Sequence, residues 1–254
     1  MRLLRSAALA AFPHGFTTRE GGVSPAPWES LNLGRSVGDD PARVAENWRR
    51  VEVETGLRFA RVAQVHGARV IHLRAATGPG GPAEEADGVL STTPGLAACV
   101  AVADCVPILL ADPASRTVAA IHAGWRGTLA GVARAGVQAI AGLIGASPRG
   151  LIAAVGPSIG PCCYQVSPDL AARFAGQLGP VVRDTADGPH LDLWEANRRI
   201  LLEAGLEERW VEVLGRCTSC DTDDFFSHRR DRGHTGRQIA FIAPPLAAPG
   251  GPLP

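Results

Sequence analysis

The chain has 254 residues and a formal net charge of zero, with 25 basic residues balanced by 25 acidic ones. No basic block or acidic tail stands out, so electrostatics points to neither nucleic acid nor an anionic membrane as partner and favours a small neutral or mildly anionic ligand. All the basic residues are arginine and the one methionine is Met1, which removes Schiff-base lysine chemistry, a Walker-type phosphate loop and any thioether ligand beyond the first residue.

The opening stretch, "MRLLRSAALAAF", faintly imitates a secretory leader, but Pro13 and His14 follow at once and its small residues make no convincing small-x-small cleavage site. No apolar run approaches the length needed to span a bilayer. Six cysteines, two adjacent and two as Cys-x-x-Cys, do not read as a secreted disulfide framework. The expected location is therefore the cytoplasm, with reduced thiols or metal-bound cysteines.

In chain order, Asp40 and Pro41 read as the N-cap and first residue of a helix whose apolar face is Val44, Trp48 and Val51 and which ends at Gly56. Short β-like runs follow at 63–66, 70–73, 97–102, 106–111 and 118–122, separated by "TGPGGP" and "DPAS" turn signals. One helix is expected over 125–144, from Leu129, Val132, Gly136, Ile140 and Leu143 recurring at three or four. A buried strand at "LIAAV", a helix over 192–204 and strands at 210–214 and 239–242 complete the pattern. No internal repeat or linker interrupts it, so 1–243 reads as a single α+β domain and 244–254 as a Pro/Gly-rich disordered tail.

Three residues carry chemistry at strand ends: His66 in "AQVHGARV", Cys105 in "VADCVP" and His122 in "AIHAGWRG". Two imidazoles and a thiolate are three ligands for zinc, and a fourth tetrahedral position left to water marks a catalytic centre. Alternatively Cys105 is a nucleophile with His122 as its base and amides near Gly124 as oxyanion donors. The three being unrelated singletons is the remaining reading. Asp104 either orients one of the histidines, acts as acid or base, or caps the turn before Pro107. Cys162 and Cys163 read as core or turn residues and Cys99 as packing. Cys217, Cys220, His228 and His234 imitate a zinc finger, with a Cys-to-His gap shorter than fingers use.

Together "HGFTTREGGVS", "LNLGRSVGDD", "QVHG", "ADGVLSTTPG", "ADCVPILLAD", "HAGWRGT", "GPSIGPCCYQV" and "FFSHRRDRGHTGRQ" resemble the YfiH-like family, whose members carry laccase-domain or multicopper polyphenol oxidase labels. The resemblance runs from His14 to about Ile242. It implies a four-layer α/β/β/α sandwich with mixed sheets, a cytoplasmic enzyme, and one zinc held by His66, Cys105 and His122. The implied activity is purine nucleoside phosphorolysis of adenosine, inosine and methylthioadenosine, with adenosine deamination as a further activity. Editing of a peptidoglycan precursor by an amidase-type hydrolase at the same Cys/His site is the alternative, and a non-catalytic nucleotide sensor a third.

Laccase chemistry, and with it resident copper, fits poorly. Seven scattered histidines without a His-x-His pair do not fill the extra clusters it needs. The H-x-E…P-C-x-x-C signature of cytidine-type deaminases is also missing, so any deamination here uses another mechanism. Phosphate binding without lysine falls to arginine or backbone amides. Arg126, Arg229 and Arg230 are the candidates, with Arg19 beside the glycines of "TTREGG". Phe225 and Phe226 are expected to anchor their segment while Ser227, Arg229 and Arg230 face the cleft.

Overall fold

In the computed structural model, residues 1–78, 81–82 and 84–246 are described, and the expected tail lies outside them from 247 onward. The first helix, α1 (Pro41–Thr55), forms as its sequence dictates: the Asp40 carboxylate accepts from the Ala42 N–H at 2.8 Å, and Gly56 closes the helix at φ 67°. Its apolar stripe, Val44, Trp48 and Val51, needs a partner surface, and a five-stranded sheet supplies one.

That sheet runs in the order β1 (Leu3–Leu4), β2 (His14–Thr17), β13 (Gln238–Ile242), β6 (Leu96–Val102) and β3 (Arg58–Ala60). A six-stranded sheet runs β12 (Val211–Val213), β9 (Ile152–Val155), β7 (Val106–Ala111), β8 (Val118–Ala123), β5 (Gly88–Ser91) and β4 (Val70–His72). Both are mixed, since β3–β6, β9–β12 and β4–β5 are parallel and the remaining pairs antiparallel. A separate hairpin joins β10 (Val182–Thr185) to β11 (Gly188–Leu191).

Because side chains alternate across a strand, each sheet divides its apolar residues between two cores. On β6, Cys99 joins Trp48, Phe59 and Phe241 against α1, while Ala98 and Val100 turn inward. The inward residues meet Leu109, Ala111 and Ala120 of the second sheet, forming the layer between the sheets. On the far side, Ile108, Leu110 and Ile121 pack against α3 (Val132–Ile144), α4 (Pro168–Leu178) and α5 (Leu193–Glu203) through Val137, Ile140, Phe174 and Ile200. The order is helix, sheet, sheet, helices, as the resemblance implies.

Two expectations are corrected. The β-like run 63–66 is not a strand: only Ala63 makes a bridge, to Glu85, and the N–H groups of Val65, His66 and Gly67 turn to the Asp87 carboxylate instead of a ladder. The helix expected over 125–144 is two, α2 (Trp125–Leu129) and α3, because Gly131 adopts φ 79° and breaks the hydrogen-bond ladder. No helix among the described residues is long and apolar enough to cross a membrane.

The inter-sheet layer closes over Gly156, just past β9. A Cβ there would lie 2.1 Å from Phe16 Cε1 in a wholly buried contact. Gly156→Ala is expected to destabilise by about 1–3 kcal/mol through overpacking, which thermal unfolding reads as a melting point lowered by several degrees. An unchanged melting point contradicts this packing.

Candidate active site

The period of two that builds the layers also aims the site. On β8, Val118 and Ala120 face the inter-sheet layer and Ile121 and Ala123 face the helices, so His122 shares the inter-sheet side. Cys105, one residue ahead of β7, has the parity of Leu109 and Ala111 and points the same way. The antiparallel register Pro107↔His122, Val106↔Ala123 then carries Cys105 alongside Gly124. A Cβ on Gly124 would lie 2.9 Å from Cys105 Sγ and 3.2 Å from His66 Cδ2, so this position needs glycine.

His66 arrives from the loop between β3 and β4 at φ 62°, a left-handed conformation uncommon outside glycine. Its ring stands edge-on to that of His122 with centroids 4.8 Å apart. The ligand atoms of His66, Cys105 and His122 all lie within 4.8 Å of one another. Exposure rises from His122 through Cys105 to His66, so the cluster opens outward.

One carboxylate organises both histidines. Asp87, fully buried beside the first residue of β5, accepts the His122 Nδ1–H at 2.8 Å and the backbone N–H groups of His66 at 2.9 Å and Gly67 at 2.6 Å. Its own carbonyl accepts the His122 N–H at 2.7 Å. Burial opposes ionisation of Asp87, but His122 and the Gly67 and His66 amides more than offset it and hold the carboxyl below the usual range. With Nδ1 engaged, His122 presents Nε2 to the cluster. This carboxylate–histidine arrangement is the support that histidine metal ligands use, and the three donors with a glycine-cleared face fit a metal with an open position.

The charges agree. Burial pushes the Cys105 thiol up, yet His122 and His66 beside it bring it down to about 6. Burial disfavours the charged His122, while Cys105 and Asp87 raise it to about 9. Both shifts favour a thiolate–imidazolium pair when no metal is bound.

The other expected residues divide. Asp104, at φ 83°, holds neither histidine: its oxygens accept the Thr218 hydroxyl and the Arg229 N–H, each at 2.6 Å, and the orienting role belongs to Asp87. Ser227 does not face the cleft, being fully buried with Oγ accepting the Arg230 N–H at 3.2 Å. Arg230 is occupied by Asp231 and the Thr218 and Phe225 carbonyls, so it braces its own loop. Arg19 likewise ties the Glu29 and Thr222 carbonyls and lies over Phe226. Phe225 and Phe226 are fully buried, as expected of anchors.

Arg229 and Arg126 both act on Tyr164, and Arg126 lies over the Trp125 ring, 4.4 Å from its centroid. Arg229 bonds the Gln165 carbonyl at 2.9 Å and lies over the Tyr164 ring, 5.0 Å from its centroid. Tyr164 feels Cys105, Arg229, Asp104 and Arg126 together, and burial followed by Cys105 raises its hydroxyl to about 12. Arg237, which sequence reasoning missed, is drawn down by burial and partly back up by the charges of Cys105 and Asp104, and its Nη1 donates to the Thr235 and Gly236 carbonyls at 3.2 and 2.8 Å. Cys217 and Cys220 group with Cys162 and Cys163 and not with His228 and His234, so the finger-like spacing makes no finger, and Cys162 and Cys163 lie in a turn, as expected. Cys99 is a packing residue inside β6.

Two measurements test this geometry. Asp87→Asn keeps all three donors, and zinc competition is expected to show affinity lowered roughly 10- to 100-fold, with Asp104→Asn leaving it unchanged. The reverse pattern contradicts the assignment. In metal-free protein, Cys105 alkylation by iodoacetamide is expected to stay fast down to about pH 6 and fall below it. A midpoint near the ordinary thiol value of about 8.5 contradicts the pairing.

The family described as "Multi-copper polyphenol oxidoreductase laccase" matches residues 13–244. The chain is 44% identical to a purine nucleoside phosphorylase of Deinococcus radiodurans, over 96% of this chain and 93% of that one. It is 36% identical to the human purine nucleoside phosphorylase LACC1, covering 91% of this chain and 55% of that protein. The crystal structure of YlmD from Geobacillus stearothermophilus superposes with a TM-score of 0.89 at 36% identity, covering 97% of each chain. That of Bacillus licheniformis YfiH superposes at 0.90 and 33%, covering 95% and 96%. This chain belongs to that laccase-domain family, the one that includes the YfiH and YlmD proteins.

Proposed function

We propose that this protein is a zinc-dependent purine nucleoside phosphorylase. The observation that carries the reading is the shared name of its relatives, purine nucleoside phosphorylase, at up to 44% identity over nearly the full chain. The substrates are adenosine, inosine and methylthioadenosine with phosphate, and the location is the cytoplasm. His66, Cys105 and His122 hold the metal, which supplies Lewis-acid stabilisation of developing negative charge.

Phosphorolysis forms a C1′–O bond to phosphate and breaks the C1′–N9 bond, so the cleft needs a seat for an anion and a hydrogen bond for the departing base. Arg229 and Arg126 supply positive charge at Tyr164, and Arg237 supplies it toward Cys105 and Asp104. Arg229 is pre-oriented by Gln165 and Tyr164, which limits the entropy lost when its remaining N–H groups take an oxyanion. The Tyr164 hydroxyl, protonated at neutral pH, serves as a donor. Asp104 is held by two short hydrogen bonds and fixes Arg229 through its backbone.

Zinc suits the donor set better than a multicopper centre. Among the described residues the metal-competent clusters contain two histidines in one case and none in the other, so the histidine-rich second cluster that laccase chemistry requires is missing. Adenosine deamination replaces the C6 amino group with an oxygen from water. It involves no phosphate and therefore makes no demand on Arg229.

Incubation with inosine is expected to release hypoxanthine only when phosphate is present. Silence on every nucleoside, with cleavage of a muropeptide instead, contradicts the proposal. Arg229→Ala is expected to remove charge-assisted bonds of about 1.5–3 kcal/mol, slowing phosphorolysis roughly 10- to 100-fold and sparing deamination. Arg230→Ala is expected to lower the melting point and depress both activities together. Parallel loss of both in Arg229→Ala at an unchanged melting point contradicts the anion role.

A further inference from the structure

β9 and β12 are parallel neighbours, with Val155 opposite Val213, so the loops that follow them leave the sheet at the same end. Pairing continues into those loops through a parallel bridge between Ser158 and Cys217 and the Thr218 N–H to the Ser158 carbonyl at 3.0 Å. The Gly160 N–H adds a bond to Cys217 Sγ at 3.3 Å. The first loop carries Cys162 and Cys163, the second Cys217 and Cys220.

The four sulfur atoms all lie within 4.8 Å of one another, with Cys220 Sγ 3.5 Å from that of Cys162 and 3.4 Å from that of Cys163. All four are free thiols. A zinc ion with four sulfurs at about 2.3 Å has tetrahedral edges of about 3.8 Å, inside this range, and the sulfurs stand too close together to enclose a cluster of several metals. Cys162 and Cys220 are exposed. As bare thiols on a surface they invite oxidation, and an ion is the simplest partner that satisfies four thiolates at such separation.

We propose that Cys162, Cys163, Cys217 and Cys220 form a second metal site, a closed four-thiolate zinc centre that pins the loop after β9 to the loop after β12. Its effect on the cleft runs through neighbours in sequence. Cys163 precedes Tyr164, on which Arg229 lies, and Cys217 precedes Thr218, which donates to Asp104. The centre has no open position and no part in bond making. It is structural, and it stands independently of the nucleoside reading.

Zinc analysis of the full chain purified under reducing conditions tests this. The wild type is expected to hold about two equivalents, and Cys162→Ser/Cys220→Ser and Cys105→Ala/His122→Ala about one each. Cobalt loading of Cys105→Ala/His122→Ala is expected to give the intense thiolate charge-transfer absorption of a tetrahedral site. Should the cysteine variant fail to fold, alkylation of the wild type with mass-spectrometric readout decides. Cys162, Cys163, Cys217 and Cys220 are expected to be protected together in the zinc-loaded protein and to become reactive together on chelation. Equal zinc content in wild type and Cys162→Ser/Cys220→Ser, free alkylation of the four thiols while zinc stays bound, or a disulfide among them each overturns the proposal.

Discussion

The site depends on a single buried anion. Asp87 sits with no solvent exposure beside the end of β5, where a carboxylate is tolerated only if its oxygens are saturated with donors. The donors it finds are the His122 ring and the amides of His66 and Gly67, so the need to satisfy one charge fixes two ligands at once. It also explains why His66 holds a left-handed backbone: turning two successive N–H groups onto one carboxylate curls the chain into a nest. The strain in this loop is offset by charge-assisted hydrogen bonds and places an imidazole where a regular strand would not.

The layered architecture supplies the rest. Cys105 and His122 sit at one end of the inter-sheet layer because strand parity sends them there, and the ends of two packed sheets are where loops from both converge. The loop after β9 carries Tyr164 and the connection from β12 to β13 carries Arg229 and Arg237, and Asp104 holds that connection at two points, through Thr218 and Arg229. Strand ends position Cys105 and His122 and a loop positions His66, whereas the proposed anion-binding arginines come from α2 and from a loop whose conformation rests on hydrogen bonds and, at one corner, on four clustered thiols.

Much of this was legible in the sequence. The caps and stripe of α1, the central strands β6 to β8 and the His66, Cys105, His122 set carry local signals, and the structure brings those three side chains together. Less legible was whatever depends on a distant partner. Asp87 sits in "ADGVL", where an aspartate before glycine reads as a turn, and only the pairing of β5 with β8 shows that it faces His122. The run 63–66 has strand composition, but its amides prefer the carboxylate. Cys162 and Cys163 lie more than fifty residues from Cys217 and Cys220, so neither half predicts the other; the parallel β9–β12 pairing does. The arginines are hard to sort for a related reason, since the sequence does not distinguish Arg230, which braces carbonyls, from Arg229, which lies over Tyr164.

The central claim is that Asp87 fixes His122 in the tautomer that offers Nε2 to the metal. Nitrogen-15 NMR of histidine-labelled, zinc-loaded protein tests it most directly. The account predicts a slowly exchanging Nδ1–H on His122, shifted downfield by its bond to the carboxylate, and a metal-shifted Nε2. A proton on Nε2 with Nδ1 bound to zinc contradicts it.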